Sequence, residues 1–405
     1  MSRPLREVAE VHYGKSPAEV VSVDGTIPII GTGGIYGRAT RHLFSGPGVV
    51  VPRKGSLGNP QYIEGAFWPV DTTYALLPKT GISARWIYYS LALFDLTRLN
   101  EATGVPSISR DWLYKIPLGD ANSNQQLGIA EILSTVDDAI AQTEALIAKT
   151  QQIKAGLLHD LFTRGLQPDG TLRPRREDAP ELYKESPLGW IPRDWRIESL
   201  GSISTYVTSG SRGWATYYSD EGPLFIRIGN LTREHINLRM QDVQHVRLPN
   251  GAEGSRTCLS PGDVLISITA DLGIIGVMPD GLGDAYINQH IALVRIAQTK
   301  ASSRWIGHFL ASDAAQRRIR RLDDPGAKAG LNLPTVRSLL VAIPKQDGDE
   351  QARAVEQLDS LDRQIAREGA HADKLRSLKH GLMQDLLTGR VRVPVGAVRE
   401  AVADV

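Results

Sequence analysis

Two stretches of this chain mix glycine with cations, hydroxyls and aromatic rings, the combination needed by a surface that meets a polyanion. The first runs Gly31-Thr32-Gly33-Gly34-Ile35-Tyr36-Gly37-Arg38, with Arg41 close behind and Arg53-Lys54-Gly55-Ser56 later. The second runs Ser209-Gly210-Ser211-Arg212-Gly213-Trp214 with Tyr217-Tyr218, then Arg227, Asn230, Thr232 and Arg233, and finally Arg317-Arg318 with Arg320-Arg321. Arginine and lysine neutralise phosphates, and arginine and asparagine hydrogen-bond base edges. Gly34 and Gly213 let the backbone come close because they lack a Cβ, and Tyr36 and Trp214 offer rings to pack against sugars or bases. The candidate nucleic-acid contacts are therefore Gly34, Tyr36, Arg38, Arg41, Arg53 and Lys54 in the first half, and Arg212, Gly213, Trp214, Arg227, Asn230 and Arg233 in the second. Residues 317–321 are helical by spacing and read equally as a solvated face.

No reaction centre is spelled out beside these loops. Gly14-Lys15-Ser16 lacks the glycine five residues earlier that a phosphate-binding loop requires. The nine histidines are scattered without metal-ligand spacing, and the one cysteine, Cys258, excludes both an intrachain disulfide and a cysteine zinc site. Asn59-Pro60-Gln61-Tyr62 approaches the Asn/Asp-Pro-Pro-Tyr/Phe motif by which amino-methyltransferases hold a flipped base, but its third position is wrong. It also follows Gly33 too closely for a cofactor-binding strand-loop-helix unit. The sequence thus predicts no catalytic residue, no metal site and no cofactor bound by this chain.

What must position the loops is a duplicated framework. Residues 126–165 align with 351–390 at a constant offset of 225, with identities including Gln126/Gln351, Glu131/Glu356, Leu133/Leu358, Asp137/Asp362, Ile140/Ile365, Lys154/Lys379, Gly156/Gly381, Leu157/Leu382 and Asp160/Asp385. Both copies read as long helices. Apolar residues recur in steps of three, four and seven at Leu133, Val136, Ile140, Ile147, Ile153, Leu157 and Leu161, and at Leu358, Leu361, Ile365, Ala372, Leu375, Leu378, Leu382 and Leu386. Each stripe needs a partner, and the simplest partner is the other stripe, along about 60 Å at 1.5 Å per residue. The alternative is that each helix covers its own neighbouring domain.

The repeat continues outside the helices as Arg85-Trp86-Ile87 with Arg304-Trp305-Ile306, Pro47-Gly48 with Pro261-Gly262, Leu5 and Val8 with Leu200 and Ile203, and Ile116-Pro117 with Ile343-Pro344. Short β-type runs at 27–30, 49–51, 73–77, 224–228, 264–268 and 291–296, with helical patterns at 86–93 and 303–310, make both halves mixed α/β. The expected order is a first domain (1–120), a first helix (121–165), a linker (166–195), a second domain (196–345), a second helix (346–390) and a tail (391–405). The fold class is α+β: two similar mixed α/β recognition domains separated by two long antiparallel helices that form an intramolecular coiled coil.

The formal net charge of +1 over 405 residues gives no global signal for nucleic acid. Divided by segment it is more informative. Residues 1–120 hold 12 basic and 10 acidic side chains and 196–345 hold 17 and 13, whereas 121–165 hold 3 and 5 and 346–405 hold 9 and 11. The globular halves are positive and the helices negative. No apolar run approaches the roughly 18 residues of a membrane-spanning helix, and Met1-Ser2-Arg3-Pro4 opens without a signal peptide, so a cytoplasmic location is expected.

This ordered set resembles the specificity subunits of type I restriction-modification systems. Thr103-Gly104-Val105-Pro106-Ser107-Ile108-Ser109 through Ile116-Pro117, and Gly330-Leu331-Asn332-Leu333 through Ile343-Pro344 and Glu350-Gln351, look like the closing motifs of that family's recognition domains. Pro261-Gly262-Asp263-Val264-Leu265-Ile266 and Asn288-Gln289-His290-Ile291 are similarly family-like. The first half departs from the pattern, with Val49 for the aspartate, Asp71-Thr72-Thr73 for Asn-Gln, and Gln125-Gln126 for Glu-Gln.

The resemblance implies a non-catalytic reader of double-stranded DNA. In the family each domain reads half of a split target, and the helix pair spaces the halves and docks methyltransferase (modification) subunits. S-adenosylmethionine is then expected in that partner rather than here. Whether a restriction/translocase subunit joins is left open, and no membrane is involved. Two competing readings remain at this stage: a coiled-coil scaffold that binds protein without DNA, and a stand-alone methyltransferase.

Overall fold

The computed structural model describes residues 2–210, 212–247, 252–322, 330–345 and 349–393. Ser211 of the second glycine-rich loop, 346–348 at the expected start of the second helix and 394–405 of the expected tail lie outside them. The chain falls into two compact units, Met1–Ala145 with Glu368–Val405, and Leu146–Arg367.

In the first unit a four-stranded antiparallel sheet has the order Ala9–Tyr13, Thr73–Pro78, Gly48–Pro52, Gln61–Ile63. A three-stranded sheet has the order Gly34–Ala39, Ile27–Gly31, Trp68–Pro69, antiparallel then parallel. The run Val49-Val50-Val51 explains the layering. All five residues of its strand are buried, because β-branched side chains alternate between two covered faces. Val49 and Val51 join the core beneath helix Ala84–Leu93, whereas Val50 packs with Ile30 and Phe67 toward the second sheet. Ser2–Pro4 pairs with Pro117–Gly119, tying the two ends of this segment together.

The second unit repeats this plan strand for strand. Its four-stranded sheet runs Ser204–Ser209, Ile291–Ile296, Val264–Ser267, Ile275–Val277, and its three-stranded sheet runs Gln244–Val246, Tyr218–Ile226, Ala285–Ile287. Val264 and Ile266 face the core beneath helix Ser303–Ala311, and Leu265 faces the smaller sheet. Arg196–Ser199 pairs with Leu340–Ile343 as the outer two-stranded element.

The long helices span Ser123–Thr163 and Glu350–Leu387 and pack against each other, antiparallel. Repeated residues cross-pair. Asp137 meets Lys379 at 2.6 Å in the first unit, and Lys154 meets Asp362 at 2.5 Å in the second. The same antiparallel register serves both, since 137 and 379 have the same sum as 154 and 362. Among the seam residues expected from sequence, Leu133 and Leu358 are fully buried, while Val136, Ile140, Ile147, Leu157, Leu361, Ile365, Leu375 and Leu382 are partly buried.

Ile153 and Leu378 are corrections. Both are about half exposed (51% and 52%), and Thr143, Thr150 and Lys154 take seam positions instead. The two threonine hydroxyls donate to the carbonyls of Ala139 and Leu146, at 2.8 and 2.9 Å, which satisfies them inside the seam. The helix ends also enter the domain cores. Leu161, Phe162, Ala354 and Leu358 join the second unit's core, and Ile129, Leu133, Met383 and Leu386 the first's. Pairing with each other and covering the domains are therefore both true.

The segment expected as a linker is folded. Tyr183–Lys184 pairs with Ile191–Pro192, and Leu166, Tyr183, Ile191 and Trp195 are buried. Its Arg173 forks onto Glu350 at 2.6 and 3.1 Å. Glu350 is the acid that the first copy replaces with Gln125.

Candidate nucleic-acid interface

In each unit one arrangement ties the globular part to the helices. Ser83 caps helix Ala84–Leu93 by accepting from Trp86 N, and its own N–H donates to Gln126 Oε1 at 3.0 Å. Ser302 caps Ser303–Ala311 in the same way, its N–H donating to Gln351 Oε1 at 2.9 Å. Further along, the Tyr89 hydroxyl donates to Asp137 at 2.8 Å, and burial followed by this bond raises its pKa.

At the place of Tyr89 the second unit has His308, 1% exposed, whose Nε2 lies 2.8 Å from Asp359 Oδ1. Arg304 forks onto the same carboxylate at 2.6 and 2.6 Å. Burial pushes His308 down toward the neutral form. Burial alone would raise Asp359, but the hydrogen bonds from His308 and Arg304 outweigh it and hold the carboxyl at about 2. His308, Asp359 and Asp362 have metal-like spacing. Their carboxylates instead face Arg304 and the Lys154 ammonium, so the cations here are the chain's own.

On this frame four of the first unit's candidates, Gly34, Tyr36, Arg53 and Lys54, border one hollow. Gly34 opens the strand Gly34–Ala39 at φ 125°, a conformation that favours glycine, right after the Thr32-Gly33 turn. Gln61 donates to the Gly31 carbonyl at 2.8 Å and pins the hairpin. Tyr36 (61% exposed) and Arg38 stand out from it. Gly34 and Tyr36 line a cavity of about 500 Å³ with Asp71 and Thr72. The Thr72 carbonyl accepts from both Arg53 N and Lys54 N, at 2.9 and 3.2 Å, so the basic loop borders the same place. Arg41 is exposed beside a different hollow, with Lys15, Glu19 and His42.

Two further residues belong here that the sequence reading missed, Tyr13 and Arg110. The guanidinium carbons of Arg53 and Arg110 lie 5.5 and 5.4 Å from the centroid of the Tyr13 ring, which is 47% exposed. Beneath it, Tyr74 donates to the Ile108 carbonyl at 3.1 Å, and burial first, then Tyr13, pushes its hydroxyl up to about 12. The available signal was Arg110 itself, which directly follows the closing motif at 103–109.

The second unit's candidates are more dispersed, and two are corrections. Trp214 is 3% exposed and stacks on Phe225 at 5.0 Å and 10°; it is a core ring, closed to a base or sugar. Asn230 is 2% exposed, and its amide is fully used. It accepts from Arg227 N at 2.9 Å and donates to the carbonyls of Arg239 and Asp242 at 2.9 and 3.0 Å, holding the loop together. Arg227 pairs with Asp242 at 3.3 Å. Arg233 is bonded to Gln316 at 2.9 Å, to Asp271 and to the Leu272 carbonyl at 2.8 Å. Arg212 and Gly213 (φ 84°) are exposed, with Tyr217 and Tyr218 nearby in the chain at 40% and 44%. Residues 317–321 lie in helix Asp313–Arg321. Arg318 bonds the Leu188 carbonyl while Arg317, Arg320 and Arg321 face outward.

Among the described residues no helix is long and apolar enough to cross a membrane. The type I restriction modification DNA specificity domain matches residues 1–153. The type I restriction enzyme MjaVIII specificity subunit of Methanocaldococcus jannaschii is 24% identical over 324 residues, covering 76% of this chain and 70% of its own. The putative type I restriction enzyme MjaX specificity subunit of the same organism is 23% identical over 323 residues, with 78% and 70% covered. In fold, the crystal structure of the type I restriction-modification S subunit from M. genitalium superposes with a TM-score of 0.64 at 16% identity, covering 96% of both chains. A chain from a study of complex assembly and conformational transition in a type I system gives 0.51 at 15% identity, covering 96% and 98%. The duplicated scaffold, the paired helices and these likenesses converge: the chain is similar to type I restriction-modification specificity subunits over most of its length, and its first 153 residues match their DNA specificity domain.

Proposed function

We propose that this subunit reads an asymmetric, bipartite double-stranded DNA target, one half-site per unit, and carries no catalytic chemistry of its own. The observation that supports this reading is one scaffold built twice with different side chains on its loops: Tyr36, Arg38 and Lys54 in the first unit against Arg212, Gly213 and the Arg227–Asp242 loop in the second. Identical readers would demand a palindrome; unlike readers on like frames select two different half-sites. The paired helices set the unread gap and dock the methyltransferase subunits, with S-adenosylmethionine belonging to that partner, and the complex works in the cytoplasm.

The test is binding by the assembled subunit–methyltransferase complex to a panel of duplexes altered in one half-site at a time. Arg38→Ala should relax discrimination in one half-site, and Arg212→Ala in the other, each by about 1–3 kcal/mol. Equal effects of both variants on both half-sites would overturn the division of labour. Absence of salt-dependent DNA binding would leave the protein-only scaffold.

A further inference from the structure

A side chain that the scaffold requires should recur in both units; one that does not recur has another job. Strand register supplies the correspondence. Tyr13 pairs with Tyr74 as Ser209 pairs with Ala292, and Val51 pairs with Tyr74 as Ile266 pairs with Ala292. Two residues beyond Val51, the Arg53 carbonyl accepts from Ile108 N at 3.0 Å; two beyond Ile266, the Ile268 carbonyl accepts from Leu331 N at 2.9 Å. Tyr13, Arg53 and Arg110 therefore correspond to Ser209, Ile268 and Leu333.

The second unit builds the same local fold with no charge and no ring at these three places. In the first unit they form a single cluster, two guanidiniums on one exposed tyrosine ring, with exposed Lys54 adjoining. Among the described residues no acidic side chain bonds Arg53, Lys54 or Arg110, and Arg53 Nε is a buried donor without a partner. Bringing unpaired cations together is unfavourable unless an anion arrives. Guanidiniums fixed on a ring present charge at two places, which suits successive phosphates. A bidentate grip on one base uses a single guanidinium aligned with the base edge.

We infer that Tyr13, Arg53 and Arg110 form a DNA phosphate-contact site peculiar to the first unit. Arg53 and Arg110 bind phosphodiester oxygens, and Tyr13 is a positioning residue whose ring holds both. This rests on the DNA-reading function proposed above and adds to it a site and a mode, backbone rather than base.

The experiment uses the assembled complex, a target duplex and single half-site variants, titrated across a range of salt. Arg53→Gln and Arg110→Gln should each lower the slope of log affinity against log salt by about 0.9 and weaken binding about eightfold at 0.1 M salt, alike on every duplex. Tyr13→Phe should leave binding unchanged, since the ring face remains, and Tyr13→Ala should lose part of both contacts. Thermal melting of the variants should match wild type. An unchanged salt slope in the arginine variants would overturn the site, and a loss confined to one half-site would overturn the phosphate assignment in favour of base reading. Wild-type complex that binds no DNA in a salt-dependent way would sink the underlying function as well, and so separates the two failures.

Discussion

Lys154 and Lys379 hold equivalent places in the internal repeat, yet their surroundings assign them different energetic weight. Lys154 is 7% exposed at the side chain and Asp362 1%, and neither Asp362 oxygen accepts a well-angled hydrogen bond, so charge alone holds that pair. Lys379 and Asp137 are 22% and 34% exposed, and Asp137 keeps the Tyr89 hydroxyl as a second partner. Lys154→Met should cost about 3–5 kcal/mol by stranding a buried carboxylate, whereas Lys379→Met should cost about 1 kcal/mol or less. Urea denaturation measures both, and Lys154→Met with Asp362→Leu should recover most of the loss; the reverse ranking would contradict the burial argument. The His308 site adds a pH dependence. Burial lowers its folded pKa, so the unfolded chain binds the proton more readily and stability falls as pH drops below the ordinary histidine value of about 6.5. Asp359, held at about 2, adds a second loss only below about pH 3.8. His308→Gln keeps an N–H for Asp359 and should flatten the stability profile between pH 7.5 and 5, read by melting temperature; a profile as steep as wild type would exclude His308 as its source.

At the scale of elements, the two long helices are held by ends and seam together. Their ends lie in apolar cores, while the middle of the seam carries threonines and half-buried aliphatics. Such a middle should tolerate shortening, because few of its residues join either core. Excising seven residues from the middle of each helix keeps the three-four spacing in register and removes about 10 Å of rise. On the function proposed, the unread gap should shrink by about three base pairs with both half-sites unaltered. Selection of bound sequences from a random duplex pool reads this directly. Altered half-sites with an unchanged gap would contradict a spacer role.

For the whole molecule, a net charge of +1 conceals two basic globular segments and two acidic helices, and the structure refines even that division. Arg227 and Arg233 spend their charge on Asp242 and Asp271, whereas Arg53, Lys54 and Arg110 have no acidic partner among the described residues. By itself the sequence determined the duplication, both long helices and most strand cores, such as 27–30, 49–51 and 291–296. These signals are local: β-branched runs between turn residues and a three-four period persist whatever the chain packs against. Tertiary structure alone decided that Trp214 and Asn230 are interior, that Lys154 rather than Ile153 faces the seam, and that Tyr13, Arg53 and Arg110 meet. The physical reason is that a side chain's burial and its ring or charge partners depend on residues tens of positions away. Only the pairing register of the sheets and the packing of the helices bring those residues into contact.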